Sequence, residues 1–145
     1  MNEITIHGNV TADPTLRRWQ DTGRAVLNFR VAVNRGYYDR TRNRWVDMPA
    51  VFHQVAAWGE LAENAATTLR KGTAVTVTGQ LSDDSYTLEG SERIINRARL
   101  DAADIAVSLR YATATVTKTA RPAREVDSPH EQQQEQPQAE SGQAA

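Results

Sequence analysis

VFHQVAAWGELAENAATTLRKGTAVTVTGQL, residues 51–81, decides the fold because its hydrophobic period changes twice. Over residues 51–58 the side chains alternate, so Val51, His53, Val55 and Ala57 share one face of a strand and Phe52, Gln54, Ala56 and Trp58 the other. The first face is core material. The second carries two aromatics separated by a polar and a small residue, which leaves both rings room to be approached flat. Leu61, Ala62, Ala65, Ala66 and Leu69 then recur at helical spacing, which predicts a helix over residues 60–71 with Gly72 as its left-handed stop. Alternation returns over residues 74–81, with Val75, Val77, Gly79 and Leu81 facing one way and Thr76, Thr78 and Gln80 the other. A helix joining two strands in a mostly-β chain predicts a closed or nearly closed barrel with a helical plug.

Working outward toward the N-terminus, Ile4, Ile6, Gly8 and Val10 mark a strand with one buried side, with His7 on its other side. Asp13-Pro14 is a turn, residues 15–19 a short edge strand, and residues 20–23 a second turn. Ala25, Leu27, Phe29, Val31 and Val33 then alternate with Val26, Asn28, Arg30, Ala32 and Asn34, and Phe29 belongs to the apolar face as a core residue. The next stretch, RGYYDRTRNRWVD at residues 35–47, interleaves Arg35, Arg40, Arg42 and Arg44 with Tyr37, Tyr38 and Trp45, against Asp39 and Asp47. Guanidinium groups neutralise phosphates and release counterions, while rings offer flat faces to unpaired bases at roughly 1 to 3 kcal/mol per stacked base. The plain alternative is an exposed hairpin whose arginines are solvated and whose rings pack locally.

Toward the C-terminus, residues 82–93 form a second arm with Glu89-Gly90-Ser91 as its turn and Tyr86 as its aromatic, either a stacking ring or a hairpin packing residue. Asp83, Asp84, Glu89 and Glu92 make this arm acidic, so it contributes less to a polyanion site than the arginine loop, with Arg93, Arg97 and Arg99 in partial compensation. Residues 93–105 return as the last barrel strand, and their imperfect alternation predicts a bulge. Residues 109–116 have the composition of a further strand, yet five strands already complete the barrel.

The chain has 145 residues and 39% hydrophobic residues, enough for one domain with a modest core and a tail. It has no cysteine, and His7, His53 and His130 fall in no metal-binding spacing, so no metal, no cofactor and no catalysis are expected. No run is long enough to span a membrane, and Met1-Asn2-Glu3 lacks the start of a signal peptide; the expected location is cytoplasmic and nucleoid-associated. The formal net charge of -1 conceals a division: residues 1–120 hold 15 Lys+Arg against 13 Asp+Glu, and residues 121–145 hold 2 against 5. Residues 117–145 are rich in Gln, Glu, Ala and Pro and are expected to be a disordered tail.

Three segments together resemble the bacterial single-stranded DNA-binding proteins. These are GNVTADPTLR at residues 8–17, NFRVAVNR at residues 28–35, and FHQVAAWGELAENAATTLRKGTAVTVTGQL at residues 52–81. SLRYATATV, residues 108–116, is similar to an extension of the actinobacterial members. The resemblance implies an OB-fold, all-β five-stranded barrel over residues 1–116, with one helix between strands 3 and 4 and an extra C-terminal clamp strand. It implies a homotetramer in which His53 lies between subunits and Leu109 and Tyr111 belong to the clamp. Arg17 and Lys71 match basic positions of the family, whereas Gln54 and Glu60 stand where the family is basic. Lys71 also suits the carbonyl end of the predicted helix. The family's acidic Pro-Phe tip is absent from the sequence end at residues 140–145, so recruitment of replication or repair enzymes through it is not expected, as in a specialised short paralogue.

The expected function is to bind and protect single-stranded DNA without strong sequence preference during replication, recombination or repair. Bases would stack on Tyr37, Tyr38, Trp45, Phe52, Trp58 and Tyr86, and Arg17, Arg35, Arg40, Arg42, Arg44, Lys71, Arg97 and Arg99 would follow the backbone. The alternatives are an OB-fold oligomer that binds RNA or a protein partner, and a purely structural oligomer.

Overall fold

The computed structural model describes residues 2–120. Eight strands and one helix follow in the order β1 (Glu3–Val10), β2 (Thr15–Arg18), β3 (Ala25–Asp39), β4 (Arg44–Trp58), α1 (Gly59–Thr68), β5 (Ala74–Asp83), β6 (Tyr86–Thr87), β7 (Ile94–Ile95) and β8 (Ala98–Val107). The large sheet runs β1-β5-β8-β4-β3-β2, and β1 returns to β3 through Asn9 opposite Ala32 and Val10 opposite Val31. The ring β1-β5-β8-β4-β3 is therefore closed. Five strands, with α1 between the third and fourth of them, make the expected OB-fold barrel. Every pairing in the ring is antiparallel except β4 with β8, which runs parallel through Gln54–Arg99, Val55–Leu100 and Ala56–Asp101.

Closure depends on two glycines. Gly8 lies where β1 crosses β3, and a Cβ there would stand 2.3 Å from the carbonyl oxygen of Ala32. At Gly79 a Cβ would stand 2.0 Å from the carbonyl oxygen of Asp101. That second contact adjoins a bulge: the register of β5 with β8 steps from Thr78–Asp104 to Gly79–Ala102, so Ala103 is the extra residue. This bulge is the physical cause of the imperfect alternation of residues 93–105.

The inner face carries Val10, Leu27, Phe29, Val31, Val55, Val75, Val77 and Leu100, all buried. Each such side chain stabilises the fold by roughly 1.5 to 3 kcal/mol relative to exposure. Ala62 and Ala65 of α1 are buried too, and their small size brings the helix axis close to the barrel mouth. Leu81 and Val51, expected on the apolar faces, are more than a third exposed because their strands continue past the barrel.

The helix is shorter than its periodicity predicts. It ends at Thr68, Leu69 is extended, and the Leu69 side chain fills the core from outside the helix. Thr67 and Thr68 donate their hydroxyls to the carbonyls of Glu63 and Asn64, and Arg70 Nη1 donates to those of Ala66 (3.0 Å) and Leu69 (2.7 Å). Arg70, not Lys71, therefore serves the carbonyl end. Gly72 has φ +91° and makes the turn into β5, with its N–H on the carbonyl of Val10.

A compact unit covers Met1–Thr113, and the described residues beyond it, 114–120, have no regular secondary structure. The strand expected over residues 109–116 does not form within the chain: residues 108–120 carry no strand, and Tyr111 is 88% exposed. With the ring closed, a further strand finds no partner there. The expected tail from residue 121 onward lies outside the described residues. Among the described residues no helix is long and apolar enough to cross a membrane.

Candidate nucleic-acid interface

The outer face of the sheet is fixed by strand register. Arg17 of β2 lies opposite Val26 of β3, which lies opposite Trp58 of β4; Thr15, Asn28 and Ala56 form the next row, continued by Asp101 of β8. Arg30 is opposite Gln54, which is opposite Arg99, and Ala32 is opposite Phe52. Phe52 and Trp58 thus share the outer face, as their alternation predicts, and Phe52 is 55% exposed. Each ring has a guanidinium over it: Arg30 over Phe52 at 5.3 Å and Arg24 over Trp58 at 5.2 Å from the ring centroid. Such contacts fix the rings at about 0.5 to 1 kcal/mol each at exposed sites.

Between these rings the face is polar. A cleft lined by Thr15, Arg17, Asn28, Gln54, Asp84, Arg97 and Arg99 crosses from β2 to the base of the second hairpin. Arg99 Nε donates to Asp101 Oδ1 at 2.8 Å, and its Nη1 reaches Asp84 Oδ1 at 3.4 Å. Arg97 Nε donates to Asp84 Oδ2 at 2.9 Å, a second nitrogen of the same guanidinium reaches that oxygen, and the Arg97 guanidinium lies over the Tyr86 ring at 5.4 Å. Partial burial works against ionisation of Asp101, but hydrogen bonds from Arg99 and Ser82, the Arg99 charge and a hydrogen bond from Trp58 outweigh it and hold the carboxyl below the usual range. One carboxylate therefore positions both a cation and an aromatic ring.

The arginine stretch is a two-stranded ribbon that prolongs β3 and β4 beyond a register shift between Val33 and Arg35. Tyr38 lies opposite Trp45 and Tyr37 opposite Val46, so Tyr38 and Trp45 share one face and Tyr37 the other. Trp45 lies flat over Gly36, where a Cβ would come within 2.5 Å of its Nε1, and that Nε1 donates to Asp47 Oδ1 at 2.9 Å. Tyr38 donates its hydroxyl to Asn43 Oδ1. Asp39 Oδ1 accepts the backbone N–H groups of Thr41 and Arg42 and so shapes the tip that presents Arg40, Arg42 and Arg44 to solvent. Arg35 is exposed at the base of the ribbon.

The second hairpin, β6 with β7, turns at residues 88–91 with Gly90 at φ +81° and sets Tyr86 opposite Ile95. Lys71 stands elsewhere, at the turn after α1, where its backbone N–H donates to Asp13 Oδ1 at 2.8 Å. His53 is half-buried on the opposite face of β4 from Phe52, beside Val31. Leu109 and Tyr111 are exposed. Alternation places Asn28 and Arg30 of β3 on the outer face, but sequence reasoning missed both, together with Arg24 and Asp101, as members of the site, because their neighbours are set by strand pairing.

The chain matches the model of the single-strand binding protein family over residues 1–106. It is 46% identical over 119 residues to the single-stranded DNA-binding protein of Mycobacterium leprae, covering 81% of this chain and 69% of that one. The single-stranded DNA-binding protein of Paenarthrobacter aurescens is 44% identical over 119 residues, with 81% and 68% covered. Among solved structures, the small single-stranded DNA-binding protein from Streptomyces coelicolor superposes with a TM-score of 0.61 at 35% identity, over 75% of this chain and 97% of that one.

Proposed function

The chain belongs to the single-strand binding protein family, and from that premise we propose that it binds single-stranded DNA across the outer sheet face and the β3–β4 ribbon, shielding exposed strands without strong sequence preference. The observation that carries this reading is the row of rings and cations on one continuous surface: Phe52 with Arg30, Trp58 with Arg24, and the polar cleft between. Rings stack on any base, and guanidinium groups follow any backbone, so affinity arises with little dependence on sequence. In this reading bases stack on Phe52, Trp58, Trp45, Tyr38, Tyr37 and Tyr86. Arg17, Arg35, Arg40, Arg42, Arg44, Arg97 and Arg99 meet the phosphates, and Lys71, at the turn after α1, meets only a strand that runs on past that face.

The working assembly in this proposal is a homotetramer in the cytoplasm. His53 lies at a subunit contact, and residues 109–116, with Leu109 and Tyr111, clamp a neighbouring subunit; the exposure of those two side chains in a single chain supports that role. The chain acts by binding, not catalysis.

Titration with oligo-thymidine at two salt concentrations, read by tryptophan fluorescence, tests the reading. Trp45 and Trp58 should be quenched, and affinity should fall as salt rises. Phe52→Ala and Trp58→Ala should each weaken binding by about 1 to 3 kcal/mol with the oligomer intact. Unchanged affinity in both variants would remove the outer face from the site.

A further inference from the structure

We infer that Asp84 is a built-in occupant of a backbone-phosphate subsite in the cleft, a carboxylate that a phosphodiester of the bound strand displaces. This rests on the interface proposed above and adds to it a residue that limits affinity. Asp84 has both oxygens engaged: Oδ2 takes two nitrogens of Arg97, and Oδ1 faces Arg99 Nη1 at 3.4 Å. A phosphodiester offers the same group of donors two unbridged oxygens sharing one negative charge, as the carboxylate does. The donors are already aimed. Arg99 is held through its Nε by Asp101 at 2.8 Å, so its Nη1 keeps its direction when Asp84 leaves. Arg17, Asn28 and Gln54 line the same cleft and add a cation and amide donors.

Displacement requires only a side-chain swing. The Asp84 backbone N–H is fixed on the carbonyl of Arg97 at 2.8 Å, whereas its side chain is 26% exposed, at the base of a two-stranded hairpin. The ion pairs it makes are partly solvent-exposed, and such pairs are weak, so a phosphate presented by a strand already stacked on Phe52 and Trp58 can compete with it. Asp101 differs: its carboxyl holds Arg99 and Trp58 in place and remains there.

Neutralising Asp84 should therefore tighten binding. In the full chain, Asp84→Asn is expected to lower the Kd for oligo-thymidine about fivefold, the size of one released ion pair. The slope of log affinity against log salt should steepen by about 0.7, because no freed carboxylate takes up a cation to offset the one the phosphate releases. Glu89→Gln removes the same charge from the hairpin tip and should change neither quantity appreciably. Asp84→Ser is made in parallel, and whichever Asp84 variant melts like the wild type is read. Binding no tighter than wild type, or a gain equalled by Glu89→Gln, overturns the inference while leaving the interface standing. A wild-type chain that fails to bind oligo-thymidine at low salt instead removes the interface, and the inference falls with it.

Discussion

Asp101 links Arg99, Ser82 and Trp58 on the outer face, and its carboxyl is held below its ordinary value of 3.8. The sign of the pH effect follows from that depression. The stabilisation is fully present above 3.8 and is lost as pH falls through the lower folded-state value. Urea unfolding of wild type and Asp101→Asn across acid pH should show a stability difference that is constant above pH 4, roughly, and shrinks below it. A difference that varied between pH 5 and 7 would assign it to another group. At this scale the sequence was partly legible: Phe52, Trp58 and Phe29 lie on the faces their alternation predicts, because a strand has only two. The partners of those rings were not legible. Arg24, Arg30 and Asp101 reach them through neighbouring strands, and nothing within one strand states its register against the next.

The β3–β4 ribbon was legible as a basic, aromatic arm, and its geometry divides the rings the sequence groups together. Tyr38 and Trp45 are cross-strand neighbours on one face, and Tyr37 lies on the other. Double-mutant cycles on oligo-thymidine affinity should therefore show coupling of about 0.5 kcal/mol or more between Tyr38→Ala and Trp45→Ala, and less between Tyr37→Ala and Trp45→Ala. Equal coupling in both cycles would mean that the strand wraps both faces. The helix stops short of its periodicity for a local reason: helical spacing continues to Leu69, but that side chain is buried from an extended residue, and periodicity does not distinguish the two. The pairing of Asp84 with Arg97 and Arg99 was not legible, because it depends on β8 lying beside β5.

For the whole molecule, closure of the ring separates what holds the barrel from what would hold an assembly. Residues 109–113 are not in the core cluster, and Ser108 is tied back by a bond from its N–H to the carbonyl of Ala74. Ending the chain after Ser108 should leave the barrel's circular dichroism and core packing unchanged while sedimentation shows dissociation at concentrations where the full chain keeps the proposed tetramer. An unaltered tetramer would assign the assembly to the barrel faces alone, with His53 among the contacts. The strand–helix–strand core of the sequence was sufficient for the architecture because each period had one solution in a closed sheet. The strand expected over residues 109–116 does not form within the chain.

The parallel pairing of β4 with β8 also fixes an order of events during synthesis. Gln54, Val55 and Ala56 leave the ribosome long before Arg99, Leu100 and Asp101, and β5 stands between them in the chain although β4 and β8 are neighbours in the ring. The β3–β4 hairpin can form early from local contacts, but the strand that seals the barrel arrives last. Until it does, Val55 lacks Leu100 beside it and the outer face lacks Arg99 and Asp101. A nascent chain therefore displays its arginine ribbon before it owns a complete cleft, and competence for orderly strand coating comes only with release of the finished domain.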